Sequence, residues 1–106
     1  MKNKYILYLD TSSSDQVLVA LYMQDKKIRE LSAGRSFTSQ VVLPLIEQIL
    51  QKEKITLKDI CEIKVFEGPG SFTGLRVGAA VANTLSWLLQ IPVNGKKGKI
   101  VEPRYQ

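Results

Sequence analysis

Hydrophobic and polar positions along the chain fall into two periods. From Lys4 to Asp10 the run Tyr5-Ile6-Leu7-Tyr8-Leu9 is almost continuously apolar, the pattern of a strand buried on both faces. Asp10 ends it, and Thr11 to Asp15 reads as a turn. Gln16 to Gln24, rich in Val, Leu and Tyr, predicts a second strand, and the short turn makes the two strands antiparallel neighbours. Asp25-Lys26 predicts another tight turn, and Lys27 to Ala33 a charged edge strand. After a connection over 34–38 the period changes. Val42, Leu45, Ile46, Ile49 and Leu50 form one stripe on a helix from about Ser39 to Lys52, capped by Thr38 or Ser39. Pro44 inside that pattern predicts a late start or a kink. Thr56, followed three positions later by Asp59, predicts a helical turn over 56–60. Glu62 to Glu67 reads as a fourth strand, with Cys61 a small core residue before it. Gly68-Pro69-Gly70-Ser71 turns sharply into a second long helix, from Phe72 or Thr73 to Leu89. Pro92-Val93 begins a short fifth strand, and the rest is Gly- and Lys-rich.

The element order is βββαβα(β). It predicts a mixed sheet in an α/β domain over residues 1–95, with a basic tail over 96–106. A right-handed crossover places the fourth strand parallel to the first. This is the ribonuclease-H-like arrangement, which also builds half of the actin-like ATPases. Such a fold does not by itself fix function.

Composition narrows the chemistry. A chain of 106 residues makes one domain and buries about 65% of its unfolded surface, enough for a core without staples. It has no histidine and one cysteine, which removes His-based catalysis, an intrachain disulfide and a structural zinc site. The net charge is +5, and Lys96, Lys97, Lys99 and Arg104 against Glu102 put most of it in the tail. A basic tail suits nucleic acid or another acidic surface, or simply solvent. No charge lies between Arg76 and Lys96, but Asn83, Ser86, Gln90 and Pro92 make this stretch too polar and broken for a membrane span. With no signal peptide visible, the expected place is the cytoplasm, with no membrane partner.

The most informative stretch is Gly68-Pro69-Gly70-Ser71-Phe72-Thr73-Gly74, between a strand and a helix. Glycines permit close backbone approach, and helix-start N–H groups attract anions. The spacing fits neither a Walker A loop nor the dinucleotide fingerprint. A phosphate-proximal loop and a plain tight turn capped by Ser71 both remain open on these residues. In the following helix, Gly74, Gly78 and Ala82 lie four apart and make a smooth strip that admits another backbone. Leu75, Val77, Val81, Leu85, Trp87, Leu88 and Leu89 span nearly the whole circumference, more apolar surface than one sheet face needs. One face is therefore expected against a partner chain, with Trp87 in the core or the interface. Arg76, the helix's single charge, is unfavourable near an N-terminus and is expected to have a specific partner.

The segments Ile6-Leu7-Tyr8-Leu9-Asp10-Thr11-Ser12, Leu43-Pro44-Leu45-Ile46 and Gly68-Pro69-Gly70-Ser71-Phe72-Thr73-Gly74-Leu75-Arg76-Val77-Gly78 resemble the TsaB (YeaZ) family, over roughly residues 4–95, its N-terminal domain. The resemblance implies an actin-like fold and a non-catalytic subunit. Such subunits support the catalytic TsaD subunit, together with TsaE, in placing threonylcarbamoyl on adenosine 37 of tRNAs that read ANN codons. It implies that the helices pair with those of a TsaD-like subunit, or with a second copy when the chain is alone. The expected partner-binding residues are Val42, Leu45, Ile49, Gly74, Leu75, Arg76, Val77, Gly78, Val81, Ala82 and Leu85, and Gly78→Arg is expected to break pairing while the monomer stays folded. The loop Gly68, Pro69, Gly70, Ser71, Phe72 and Thr73 would lie near a nucleotide. No cofactor of the chain's own, no metal and no catalytic residue is expected; ATP or ADP shared at a subunit interface stays open, as does tRNA contact, indirect or through the tail. Family members usually carry a second lobe, and Glu102-Pro103-Arg104-Tyr105 resembles a motif near their C-terminus, which suggests an internal loss of that lobe. Thr38-Ser39-Gln40 stands where the family often has His-Ser-Glu.

Two other classes compete. A ribonuclease-H-like nuclease needs three or four carboxylates around two Mg²⁺ ions, and Asp10, Glu47 and Glu67 sit where the topology could gather them. A plain homodimeric binding module would use the same helices without a TsaD-like partner.

Overall fold

The computed structural model describes residues 4–13, 15–34, 39–70 and 72–95, with only the backbone at 39, 40 and 72. The tail 96–106, the cap candidate Thr38 and the loop residue Ser71 lie outside the described residues. Three strands come first, β1 (Tyr5–Asp10), β2 (Gln16–Met23) and β3 (Lys26–Gly34). Helix α1 (Ser39–Glu53), a 3-10 turn (Leu57–Asp59), β4 (Ile60–Val65) and helix α2 (Phe72–Leu89) follow. The sheet order is β3-β2-β1-β4. β1 runs antiparallel to β2 and parallel to β4, as the crossover rule requires. Val93 adds a single parallel bridge to Ile63, so the fifth strand is reduced to one residue.

Both helices pack on one face of the sheet. That face presents Leu7, Leu9, Val17, Val19, Leu21, Ile63 and Val65 to Val42, Leu45, Ile46 and Ile49 of α1 and to Ala79, Ala82 and Leu85 of α2. Each such large side chain contributes about 1.5–3 kcal/mol on burial. Glu53 at the end of α1 accepts from Arg29 Nε (3.2 Å) and Tyr5 OH (3.4 Å), tying the helix end to β3 and β1. Thr56 caps the 3-10 turn and Asp59 reaches back to it in a reciprocal capping box.

Four local expectations change. β1 is not buried on both faces: Leu7 and Leu9 are fully buried, whereas Ile6 and Tyr8, on the face away from the helices, are half-buried. The tight turn falls at Gln24-Asp25, where Gln24 takes φ +58°, one residue before the predicted pair. α1 starts at Ser39 in spite of Pro44, because a proline so close to the first turn removes only one intrahelical bond. β4 begins two residues early and ends at Val65, which puts Cys61 inside the strand and Glu67 beyond it.

Candidate partner-binding site

The site begins where β1 meets α2. Asp10 Oδ1 accepts from the backbone N–H and the hydroxyl of Ser12, at 3.0 and 2.6 Å, and so folds the turn back on itself. Thr11, 1% exposed, donates its hydroxyl to the Gly74 carbonyl at 2.6 Å. One helical turn on, Gly78 lies directly under Thr11: a Cβ there would stand 2.3 Å from Oγ1 and 3.4 Å from Val65 Cγ2. A Cβ on Gly70 would stand 2.6 Å from Ser12 Cβ. The glycines of the loop and helix thus seat the end of this chain's own first strand.

That placement corrects the predicted interface. The small strip of Gly74, Gly78 and Ala82 is buried, and the backbone close to it belongs to the same chain. Gly78→Arg would break the fold, not only pairing. Val42, Leu45, Ile49, Leu75, Val81, Ala82 and Leu85 are also 8% exposed or less. The reason is physical: helical spacing marks a helix's most apolar face, which it turns to its own sheet. Of the predicted set, Arg76 is exposed, Val77 is half-buried, and Val81 and Leu85, though mostly covered, keep an edge on the groove between the helices.

The exposed apolar surface lies one step around the helix. Leu43 of α1 and Ala80, Val81, Thr84 and Leu85 of α2 line a shallow groove of about 210 Å³. Leu43 is 47% exposed, Leu88 61% and Trp87 72%, so Trp87 is not a core residue. Arg76 is the helix's one charged side chain. A helix facing only water normally carries lysines and glutamates at such positions. The sequence announces surplus apolar surface on α2, Trp87 and Leu88 included, but Leu43, Ala80 and Thr84 are missing from the expected set; the absence of charge at 80, 84, 87 and 88 is their signal.

The loop after β4 is held from the other side. Asn94 lies just past the Val93 bridge, with its backbone N–H 2.8 Å from the Ile63 carbonyl. Its side chain accepts from Val65 N–H at 2.8 Å and donates to the Val65 carbonyl at 3.0 Å, as a strand residue would. The same amide donates to Glu67 at 2.8 Å. Gly68 is buried before a cis peptide bond to Pro69, whereas Pro69, Gly70 and Thr73 are exposed.

The nuclease arrangement does not assemble. Asp10 is engaged by Ser12 and Glu67 by Asn94, and Glu47 lies on the exposed side of α1. Among the described residues no three His, Cys, Asp or Glu side chains are placed to hold a metal. Burial pushes the Cys61 thiol up from its usual range, which disfavours the reactive thiolate. Among the described residues no helix is long and apolar enough to cross a membrane.

This architecture is shared with known proteins. A Bacteroides thetaiotaomicron protein of actin-like ATPase fold and unknown function superposes with a TM-score of 0.53 at 11% identity, covering 88% of this chain and 33% of that one. The class is therefore an actin-like α/β domain. YeaZ from Pseudomonas aeruginosa superposes with a TM-score of 0.75 at 30% identity, covering 84% of this chain and 42% of its own. The Buchnera aphidicola (Schizaphis graminum) tRNA threonylcarbamoyladenosine biosynthesis protein TsaB is 41% identical over 91 residues, 85% of this chain and 42% of that protein. The family model for TsaD, tRNA N6-adenosine threonylcarbamoyltransferase, matches residues 32–95. The chain belongs to this family, within which it stands with the TsaB (YeaZ) proteins. It spans about two fifths of the length of the curated relatives it matches.

Proposed function

We propose that this chain is a non-catalytic partner subunit. It binds and supports a TsaD-like subunit in forming N6-threonylcarbamoyladenosine at position 37 of tRNAs that read ANN codons. The observation that carries this reading is the exposed, nearly uncharged surface of α1 and α2 around Leu43, Ala80, Thr84, Trp87 and Leu88. Contiguous apolar surface of this kind marks a protein–protein contact. The relatives' names supply the pathway, since they are called tRNA threonylcarbamoyladenosine biosynthesis proteins. In this reading the same surface pairs two copies when no TsaD-like chain is present. A TsaE-like ATPase completes the assembly, and any ATP or ADP is shared with the partner near the Gly68–Thr73 loop. The chain itself supplies no reacting group.

The test is a titration of the TsaD-family protein from the same source with the parent chain and with Ala80→Arg. Ala80 is exposed on the groove, so the arginine is accommodated in the monomer but leaves a charge inside the pair. The expected result is at least about 30-fold weaker binding, the size of an interface hot spot, with an unchanged melting temperature. Unchanged affinity would remove this surface from the reading.

A further inference from the structure

The outer face of the sheet is used neither by the core nor by the proposed partner site. It carries Ile6, Tyr8, Leu18, Ala20 and Tyr22 in register across β1 and β2, with Glu62 and Lys64 of β4 beside them. Among the described residues no helix packs on it. The Tyr8 and Tyr22 rings meet edge to face at 6.3 Å. Beside them is an open cavity of about 250 Å³, lined by Ile6, Tyr8, Tyr22, Gln24, Asp25 and Lys64. One of the three strand pairings, β1 with β4, is parallel, a pairing typical of sheets covered on both faces.

We propose that residues 96–106 of this chain dock on this outer face. Three observations name this occupant. Residues 94–95 lie beside the face: Asn94 is bonded to Ile63, and a Cβ on Gly95 would stand 4.0 Å from Glu62 Oε2, with Glu62 in register with Ile6. The reach suffices, since eleven residues span up to about 36 Å extended, and β2 lies two strand spacings from β4, about 10 Å. The chemistry matches as well. Ile100, Val101 and Tyr105 suit the tyrosine-lined cavity, and Lys96, Lys97, Lys99 and Arg104 suit a face whose acids, Asp10, Asp25, Glu30 and Glu62, outnumber its lysines, Lys27 and Lys64. The proposal does not depend on the partner reading.

The test is paramagnetic broadening in the full chain. A nitroxide is attached through Gln106→Cys in a Cys61→Ser background, and amide signals are compared with the label oxidised and reduced. Docking predicts that Ile6, Tyr8, Tyr22 and Lys64 lose at least twice as much intensity as Leu43, Ala80 and Thr84 on the opposite side. Adding Ile100→Asp and Val101→Asp should abolish the difference. Equal broadening of both sides, none on the outer face, or a difference that survives the two aspartates would overturn the proposal. The first two outcomes would leave the tail to solvent or to a nucleic-acid partner.

Discussion

Gly78→Ala probes the join between β1 and α2 with a single methyl group. Two effects oppose each other. Within an exposed helix alanine is favoured over glycine by about 1 kcal/mol. Here the added Cβ would stand 2.3 Å from Thr11 Oγ1, a group 1% exposed and bonded to the Gly74 carbonyl. The threonine must rotate away, which leaves a buried polar group unpaired at about 1–3 kcal/mol. Displacing Thr11 within its packed surroundings adds about 1–3 kcal/mol. The net is destabilisation of about 3 kcal/mol, or a melting temperature lower by on the order of 10–25 °C in a domain this small. A double-mutant cycle isolates the cause. Thr11→Ala removes the obstructing hydroxyl, so Gly78→Ala added to it should cost little more, a coupling of about 2 kcal/mol. Urea unfolding followed by circular dichroism measures all four proteins. Gly34→Ala, which meets nothing within 4 Å, serves as the neutral control. A Gly78→Ala protein as stable as the parent, or strictly additive effects, would refute the reasoning.

Other outcomes follow from the same contacts. Asn94→Ala removes three bonds to Val65 and Glu67 and should cost about 2 kcal/mol in urea unfolding. Tyr8 is held above the ordinary tyrosine range by burial and by the nearby Asp10 and Tyr22. The folded state therefore keeps this proton after the unfolded state loses it, so stability falls as pH rises through the unfolded value of about 10. Tyr8→Phe should flatten that alkaline decline in melting temperature. Mg²⁺ or Mn²⁺ should leave the melting temperature unchanged and RNA uncut on a gel, since no carboxylate cluster is assembled among the described residues.

Periodicity made the elements legible, and topology followed from their order. The stripe Val42 to Leu50 gave α1, the short turn after Asp10 gave an antiparallel pair, and the Gly68–Gly74 loop announced the strand-to-helix turn. The site was less legible because a hydrophobic pattern records that a face is buried, not by what. Gly78 and Ala82 read as an opening for a partner, yet Thr11, sixty-seven positions before Gly78, fills the space over that glycine. No local rule connects residues so far apart in sequence. For Trp87 the residue pattern left core and interface open, and only the structure, which exposes Trp87 and Leu88, removes the core. Asn94 passed as an ordinary loop residue because its role depends on φ +51° and on a strand edge that only the folded chain presents.

The account rests most on the exposed α1–α2 surface being a partner site. Light scattering on a size-exclusion column tests it most directly, with the chain run alone and then mixed equally with the TsaD-family protein from the same source. The account predicts one peak at the mass of a one-to-one complex, lost with Ala80→Arg. Separate elution of the two proteins, or a complex indifferent to that substitution, would contradict it.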